Sequence, residues 1–234
     1  MYNKKEYFIT KPKDAASLII IRNYKKNIYI LMGKRPNTSR FMPGVYVFPG
    51  GGLEKIDFSC RKYFKISIKP HRNKLKTRDE SHALALFYTA VRETYEETGL
   101  YLSRKANKNF NSSILKGLFK YNYDRYSLIP DISKLIFFGR AITPSIIKKR
   151  FHARFFISYY ENFNGVLRTN GELEDLKWVE LKEAKKKKIA DVTEFMIEQL
   201  INLKENSNLI VKNYAYPMFT WRKKKKWVKW ENFD

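Results

Sequence analysis

Residues 92–100 read RETYEETGL, with three glutamates (Glu93, Glu96 and Glu97) within five positions, followed by Gly99 and Leu100. In a chain of 234 residues with a formal net charge of +24, such a concentration of negative charge needs a cause. At about 3.6 residues per turn the three glutamates fall within about 100° of arc on one helix face. Leu84, Phe87, Tyr88, Val91 and Tyr95 fall on the other. The spacing predicts a helix that packs through its aromatic face and aims three carboxylates away from the core. Like charges at i,i+3 and i,i+4 repel by roughly 0.2–0.5 kcal/mol per pair, and the helix macrodipole disfavours anions near a C-terminus. A solvated face would more naturally alternate Glu with Lys. Clustered hard oxygens on a rigid helix suit Mg²⁺ or Mn²⁺, particularly when phosphate supplies the other ligands. On spacing and charge alone, a solvated face and a cation site both remain open.

The surrounding residues add a second line. RETYEETGL, preceded by FPGGG at 48–52, resembles the Nudix hydrolase signature: a glycine, five residues, Glu, seven residues, then R-E-U-x-E-E-x-G-U with U apolar. Arg92, Glu93, Glu96, Glu97, Gly99 and Leu100 match, Gly51 matches the opening glycine, and Thr94 takes the first U position. Asp57 stands where the first Glu would be, and roughly 27 extra residues separate it from Arg92. A branch resembling coenzyme A diphosphatases carries an insertion at this point. The break leaves a metal role for Asp57 in doubt. Upstream, LMGKRPNTSRFMPGVYVFPGG (31–51) is similar to the LLTxR-[SA]-x₃-R-x₃-G-x₃-FPGG pattern of that branch. Arg35, Arg40, Gly44 and the run Phe48-Pro49-Gly50-Gly51 fall at its spacing, with Pro36 in place of the small residue.

The resemblance implies an α/β (α+β) Nudix fold, an α/β/α sandwich with a mixed central sheet and two insertions. It implies one domain over residues 1–234, its box split between 51–57 and 84–100, with insertions at about 58–79 and 105–134. It also implies hydrolysis of a diphosphate in a nucleoside diphosphate derivative, with coenzyme A or acyl-coenzyme A foremost. The products would be a phosphopantetheine species and adenosine 3′,5′-bisphosphate. ADP-ribose, NADH and RNA 5′ ends are the alternatives, and a non-catalytic nucleotide sensor on the same fold is a further rival. By position, Glu93, Glu96, Glu97 and the Gly51 carbonyl would hold Mg²⁺ or Mn²⁺. Arg92 would orient a neighbouring glutamate, and Arg35, Arg40 and Gly50 would contact substrate. Glu97 would serve as general base, with Glu172 or Glu174 of NGELEDL as the loop candidate.

Composition sets the frame. Hydrophobic residues make up 44% of the chain and aromatic residues 16%, ample for a packed core. The single cysteine, Cys60, excludes an internal disulfide framework and fits a reducing compartment. No stretch approaches the ~18 apolar residues of a membrane span, so a soluble, cytoplasmic protein without a membrane partner is expected. The balance of 47 Lys+Arg against 23 Asp+Glu attracts anions. A chain this rich in Lys, Asn, Ile, Tyr and Phe is basic by composition, however, and basicity alone identifies no partner.

Along the chain, ASLIIIRN and IYILMGKR read as a hairpin around YKKN. GVYVFPGGG reads as a strand ending in a glycine turn. Residues 58–79 read as an inserted basic loop, with a short strand at most. ESHALALFYTAVRETYEETG is the strongest helix, capped by Asp79 or Ser81 and closed by Gly99. SSILKGLFKYN suggests a short helix, and KLIFFGRAIT, RFHARFFISYY and LEDLKWVEL suggest strands. DVTEFMIEQLINLKEN is an amphipathic helix beginning at Asp191 or Thr193. MFTWRKKKKWVKWENF suggests a two-stranded ribbon around a lysine turn. Its interleaved Trp and Lys could also track RNA. His71, His82 and His152 lack metal-ligand spacing.

Overall fold

The structure is a computed structural model that describes residues 10–59, 69–205 and 215–232. In chain order the elements are β1 (Lys13–Tyr24), β2 (Asn27–Lys34), β3 (Tyr46–Val47), β4 (Gly50–Gly52), α1 (Lys55–Phe58), α2 (Lys69–Leu75) and α3 (Glu80–Thr98). There follow β5 (Tyr101–Lys105), α4 (Gly117–Tyr126), β6 (Leu128–Pro130), β7 (Ile136–Ile142), β8 (Phe151–Tyr159), β9 (Phe163–Asn164) and β10 (Glu174–Glu180). The last are α5 (Asp191–Glu205), β11 (Tyr216–Arg222) and β12 (Lys225–Glu231).

Among the described residues the main sheet has nine strands, in the order β10-β2-β1-β8-β7-β11-β12, with β3 on β2 and β4 on β1. The pairs β1–β8 and β7–β11 are parallel and the others antiparallel, so the sheet is mixed. Strand β1 runs through its centre and buries both faces, as its unbroken apolar run requires. Ala16, Leu18 and Ile20 face the core beneath α3, while Ile19 and Ile21 face the opposite core. Helix α5 closes that second core with Phe195, Met196, Ile197 and Leu200. The arrangement is the expected α/β/α sandwich. No helix of the described residues is long and apolar enough to cross a membrane.

Two features of this frame position the site. The first is a split along one edge of β1. Its C-terminal half pairs with β2 (Ile21 opposite Ile30), whereas its N-terminal half pairs with β4 (Ala16 opposite Gly51). Thus GVYVFPGGG is two short strands bound to different neighbours, rather than the single strand its alternation predicts. The second is α3. Asp79 Oδ1 caps it by accepting from His82 N at 2.7 Å, and Gly99 ends it at φ 74°, the left-handed conformation glycine adopts without strain.

The remaining expectations fare variously. The first hairpin turns at Lys25–Lys26, and the C-terminal ribbon at Lys223–Lys224. Part of the segment read as a basic loop is helical, as α2, whose Leu75 is buried against α3. Its Cys60 lies outside the described residues, and so does the side chain of His71. The region 105–134 holds α4, where Phe119 meets Tyr88 of α3 edge to face at 5.5 Å.

Candidate active site

Helix α3 does not present its glutamates to solvent. Glu93 and Glu97 are 8% and 4% exposed, and within residues 91–100 Tyr95 and Glu96 alone are partly exposed. The expected arrangement, with three carboxylates aimed away from the core, is corrected here because β4 crosses that face. The crossing depends on glycine. A Cβ built on Gly51 would stand 2.4 Å from the carboxyl carbon of Glu93. One on Gly50, at φ 153°, would stand 2.3 Å from the Ala16 carbonyl oxygen. The backbone thus lies directly on the acids, and the Gly50 amide donates to Glu97 Oε2 at 2.8 Å.

Arg92 organises the rest of the cluster. Its Nε donates to Asp57 Oδ1 at 2.9 Å and its Nη2 to Asp57 Oδ2 at 3.0 Å. Nη1 donates to Glu93 Oε1 at 3.0 Å and Glu96 Oε2 at 2.9 Å, and Nη2 also reaches the Gly52 carbonyl at 3.0 Å. Asp57 is fully buried and also accepts from Thr89 Oγ1 and the Glu54 amide, each at 2.9 Å. Sequence reasoning missed this anchoring role. Its signal was a carboxylate at a signature position together with the arginine that opens the second half of the signature.

The site holds three carboxylates around one guanidinium and a fourth, Glu97, on the Gly50 amide. Burial pushes the Glu97 carboxyl up to about 8, against the opposing hydrogen bond from Gly50. Burial likewise pushes Glu93 up to about 7, against the nearby charge of Arg92. Glu96 is raised in the same direction and for the same first reason. Burial disfavours the Arg92 charge, but its hydrogen bonds and charge contacts with Asp57, Glu93 and Glu96 raise the guanidinium well above its ordinary value. This is an excess of negative charge in a poorly solvated place, which a cation would offset.

The chemistry of the donor set fits a hard divalent ion. One oxygen of each glutamate is engaged, by Arg92 or by Gly50. Glu93 Oε2, Glu96 Oε1 and Glu97 Oε1 accept no hydrogen bond among the described residues. As placed, however, no three His, Cys, Asp or Glu side chains among the described residues converge as a ready-made metal set. Arg92 lies between Glu93 and Glu96.

The other expected site residues lie around this cluster. Arg35 is half-buried, its Nε donating to the Phe41 carbonyl at 2.8 Å, and its positive charge acts on Glu97. Arg40 is exposed. Of the two loop acids, Glu172 exerts its negative charge on Glu96 and Glu97. Glu174 opens β10 opposite Lys34 and is not among the leading charges on the three glutamates.

Residues 11–200 match the family model of the NUDIX domain. The chain belongs to the Nudix family. It is similar to nudix hydrolase 7 of Caenorhabditis elegans, at 26% identity over 180 residues, which cover 73% of this chain and 52% of that protein. It is also similar to the acyl-coenzyme A diphosphatase NUDT19 of Xenopus laevis, at 32% identity over 112 residues, covering 39% of this chain and 29% of that one. The Nudix chain described here thus spans about half or less of the length of these curated relatives. Among solved structures, the NUDIX hydrolase of Alicyclobacillus acidocaldarius superposes with a TM-score of 0.60 at 24% identity, covering 83% of this chain and 93% of the other. That likeness bears on the fold.

Proposed function

We propose that this Nudix protein is a divalent-cation-dependent hydrolase of a diphosphate linkage, and that its substrate is coenzyme A or an acyl-coenzyme A. The products are then a phosphopantetheine species and adenosine 3′,5′-bisphosphate. The observation that carries the reading is the pair of buried carboxylates, Glu93 and Glu97, pressed beneath the backbone of Gly50 and Gly51. A solvated acidic face has no use for such burial. The similarity to an acyl-coenzyme A diphosphatase over 112 residues, and the spacing of Arg35 and Arg40, support the choice of substrate.

In this reading Glu93, Glu96 and Glu97, with the Gly51 carbonyl, would hold Mg²⁺ or Mn²⁺. The ion supplies charge neutralisation at the phosphoryl oxygens and activation of the attacking water. Arg92 keeps Glu93 and Glu96 in fixed orientations through charge-assisted hydrogen bonds, and is itself fixed by Asp57. The Gly50 amide does the same for Glu97. Arg35, tied at Nε, offers its two terminal nitrogens to substrate phosphate in the planar geometry that suits it. Glu97 is then committed to the cation, and the role of general base is assigned to Glu172, the loop acid whose charge acts on Glu96 and Glu97.

The test is a substrate panel of coenzyme A, ADP-ribose, NADH, diadenosine polyphosphates and capped RNA, each with Mg²⁺ or Mn²⁺, with products identified by mass. Release of adenosine 3′,5′-bisphosphate from coenzyme A supports the reading. Preference for capped RNA with a steep salt dependence would replace it.

A further inference from the structure

The chain carries the lysine run Lys185–Lys188, far from the arginine loop in sequence but joined to it in space. The arginine loop is closed by Arg35 N to the Val45 carbonyl at 2.9 Å and Gly44 N to the Arg35 carbonyl at 3.1 Å. Its outgoing residue, Tyr46, donates its amide to the Lys188 carbonyl at 2.8 Å and forms a parallel bridge with Ile189. The Lys188 ammonium consequently overhangs the loop, with Nζ 3.8 Å from the position a Cβ would take on Gly44.

The four lysines are not equivalent. Lys185 pairs with Glu198 at 2.6 Å, Lys186 pairs with Glu183 at 2.6 Å, and Lys187 lies over the Tyr46 ring at 5.8 Å. Lys188 has no acidic or aromatic partner among the described residues, and the same holds for Arg40. Arg35 uses its Nε alone. Arg35 and Arg40 belong to this loop and Lys188 is bound to it, so each brings donors without an acidic partner to it among the described residues, and the charge of Arg35 acts on Glu97. Cationic donors that no carboxylate competes for are available to an anionic ligand.

We propose that Lys188, with Arg35 and Arg40, forms a second anion subsite that takes a phosphomonoester of the substrate, separate from the diphosphate that is cleaved. This rests on the diphosphatase reading above and names the feature of the substrate that its cationic rim selects. A phosphomonoester, with close to two negative charges and three acceptor oxygens, matches three such donors better than a carboxylate does.

Two measurements test it. In the first, adenosine 3′,5′-bisphosphate and AMP are titrated into the whole protein by calorimetry. The wild type binds the bisphosphate about tenfold tighter or more. Lys188→Met removes that preference without changing AMP binding, and Lys185→Met keeps it. In the second, Lys188→Met raises KM for coenzyme A about tenfold at unchanged kcat, and leaves 3′-dephospho-coenzyme A unaffected. No bisphosphate preference in the wild type, or a Lys188→Met loss that falls equally on both substrates, overturns the subsite. A bisphosphate preference abolished by Lys188→Met, without turnover of either coenzyme, upholds the subsite and fails the hydrolase reading.

Discussion

Asp57 holds Arg92 through two parallel hydrogen bonds, 2.9 Å to Nε and 3.0 Å to Nη2, with Asp57 fully buried and Arg92 4% exposed. The two residues are 35 positions apart and belong to the two halves of the interrupted signature. Because the same guanidinium also holds Glu93 and Glu96, Asp57 acts on the site through Arg92. Replacing Asp57 with Ala leaves a buried arginine facing its other partners alone and should cost about 3–5 kcal/mol in urea unfolding. Arg92→Met combined with Asp57→Leu should recover part of that loss, since the uncompensated charge is removed as well. Additive losses would show that the pair does not act as a unit.

Gly51 and Gly52 give a paired comparison. Alanine at Gly51 drives a Cβ into the Glu93 carboxylate, whereas at Gly52 nothing lies within 4 Å. Gly51→Ala is expected to lose roughly 1–3 kcal/mol of stability and to weaken divalent-cation binding. Gly52→Ala should behave as wild type in both measurements. Equal effects would mean that the close approach of backbone and acid has no functional consequence.

Glu172 and Glu174 separate in the same manner. Glu172→Gln is expected to lower kcat by about 10²-fold or more, the usual contribution of a general base. Glu174→Gln should leave kcat near the wild-type value. Steady-state kinetics on the best substrate of the panel decides it, and the reverse ranking would return the role to Glu174.

A second buried cluster, at the start of β1 and β8, adds its own pH dependence to stability. His152 Nε2 lies 3.1 Å from Arg140 Nη1, with Arg154, Asp14 and His82 also facing it from β8, β1 and α3. Burial, helped by the charges of Arg154 and Arg140, holds His152 down to about 3 from 6.5. A depressed folded-state value means that the unfolded chain binds the proton first. The contribution is therefore complete above about 6.5 and is lost as pH falls towards about 3. Asp14, held below its ordinary range by its bonds and charge contacts with His82 and Arg154 against its own burial, adds a loss that begins only near 3.8. Glu93 and Glu97, raised to about 7 and about 8, act in the opposite sense between about 8 and 4.5, so the His152 contribution is read as the difference in urea midpoint between wild type and His152→Gln, which should shrink as pH falls from about 6.5 towards 3. An unchanged profile in that variant would contradict the assignment.

Much of the framework was legible because it is local. The hairpin of β1 and β2, the caps Asp79 and Gly99 of α3, and the ribbon of β11 and β12 follow from periodicity and turn chemistry within a few residues. The acidic cluster was legible as a spacing. Its burial was not, because burial depends on pairing Ala16 with Gly51 across the split edge of β1, a register no local pattern encodes. The partnership of Asp57 with Arg92 was hidden for the same reason. The lysine run showed no special member until the acids beside Lys185 and Lys186 and the ring beneath Lys187 were located, leaving Lys188 with neither kind of partner among the described residues.

The central claim is that Glu93, Glu96 and Glu97 beneath the glycine strand hold divalent cations. It is tested most directly by titrating Mn²⁺ into the protein and following free Mn²⁺ by electron paramagnetic resonance, for the wild type and Glu97→Gln. The account predicts saturable binding in the wild type and at least about tenfold weaker binding in the folded variant. Indistinguishable isotherms, or no binding by the wild type, would contradict it.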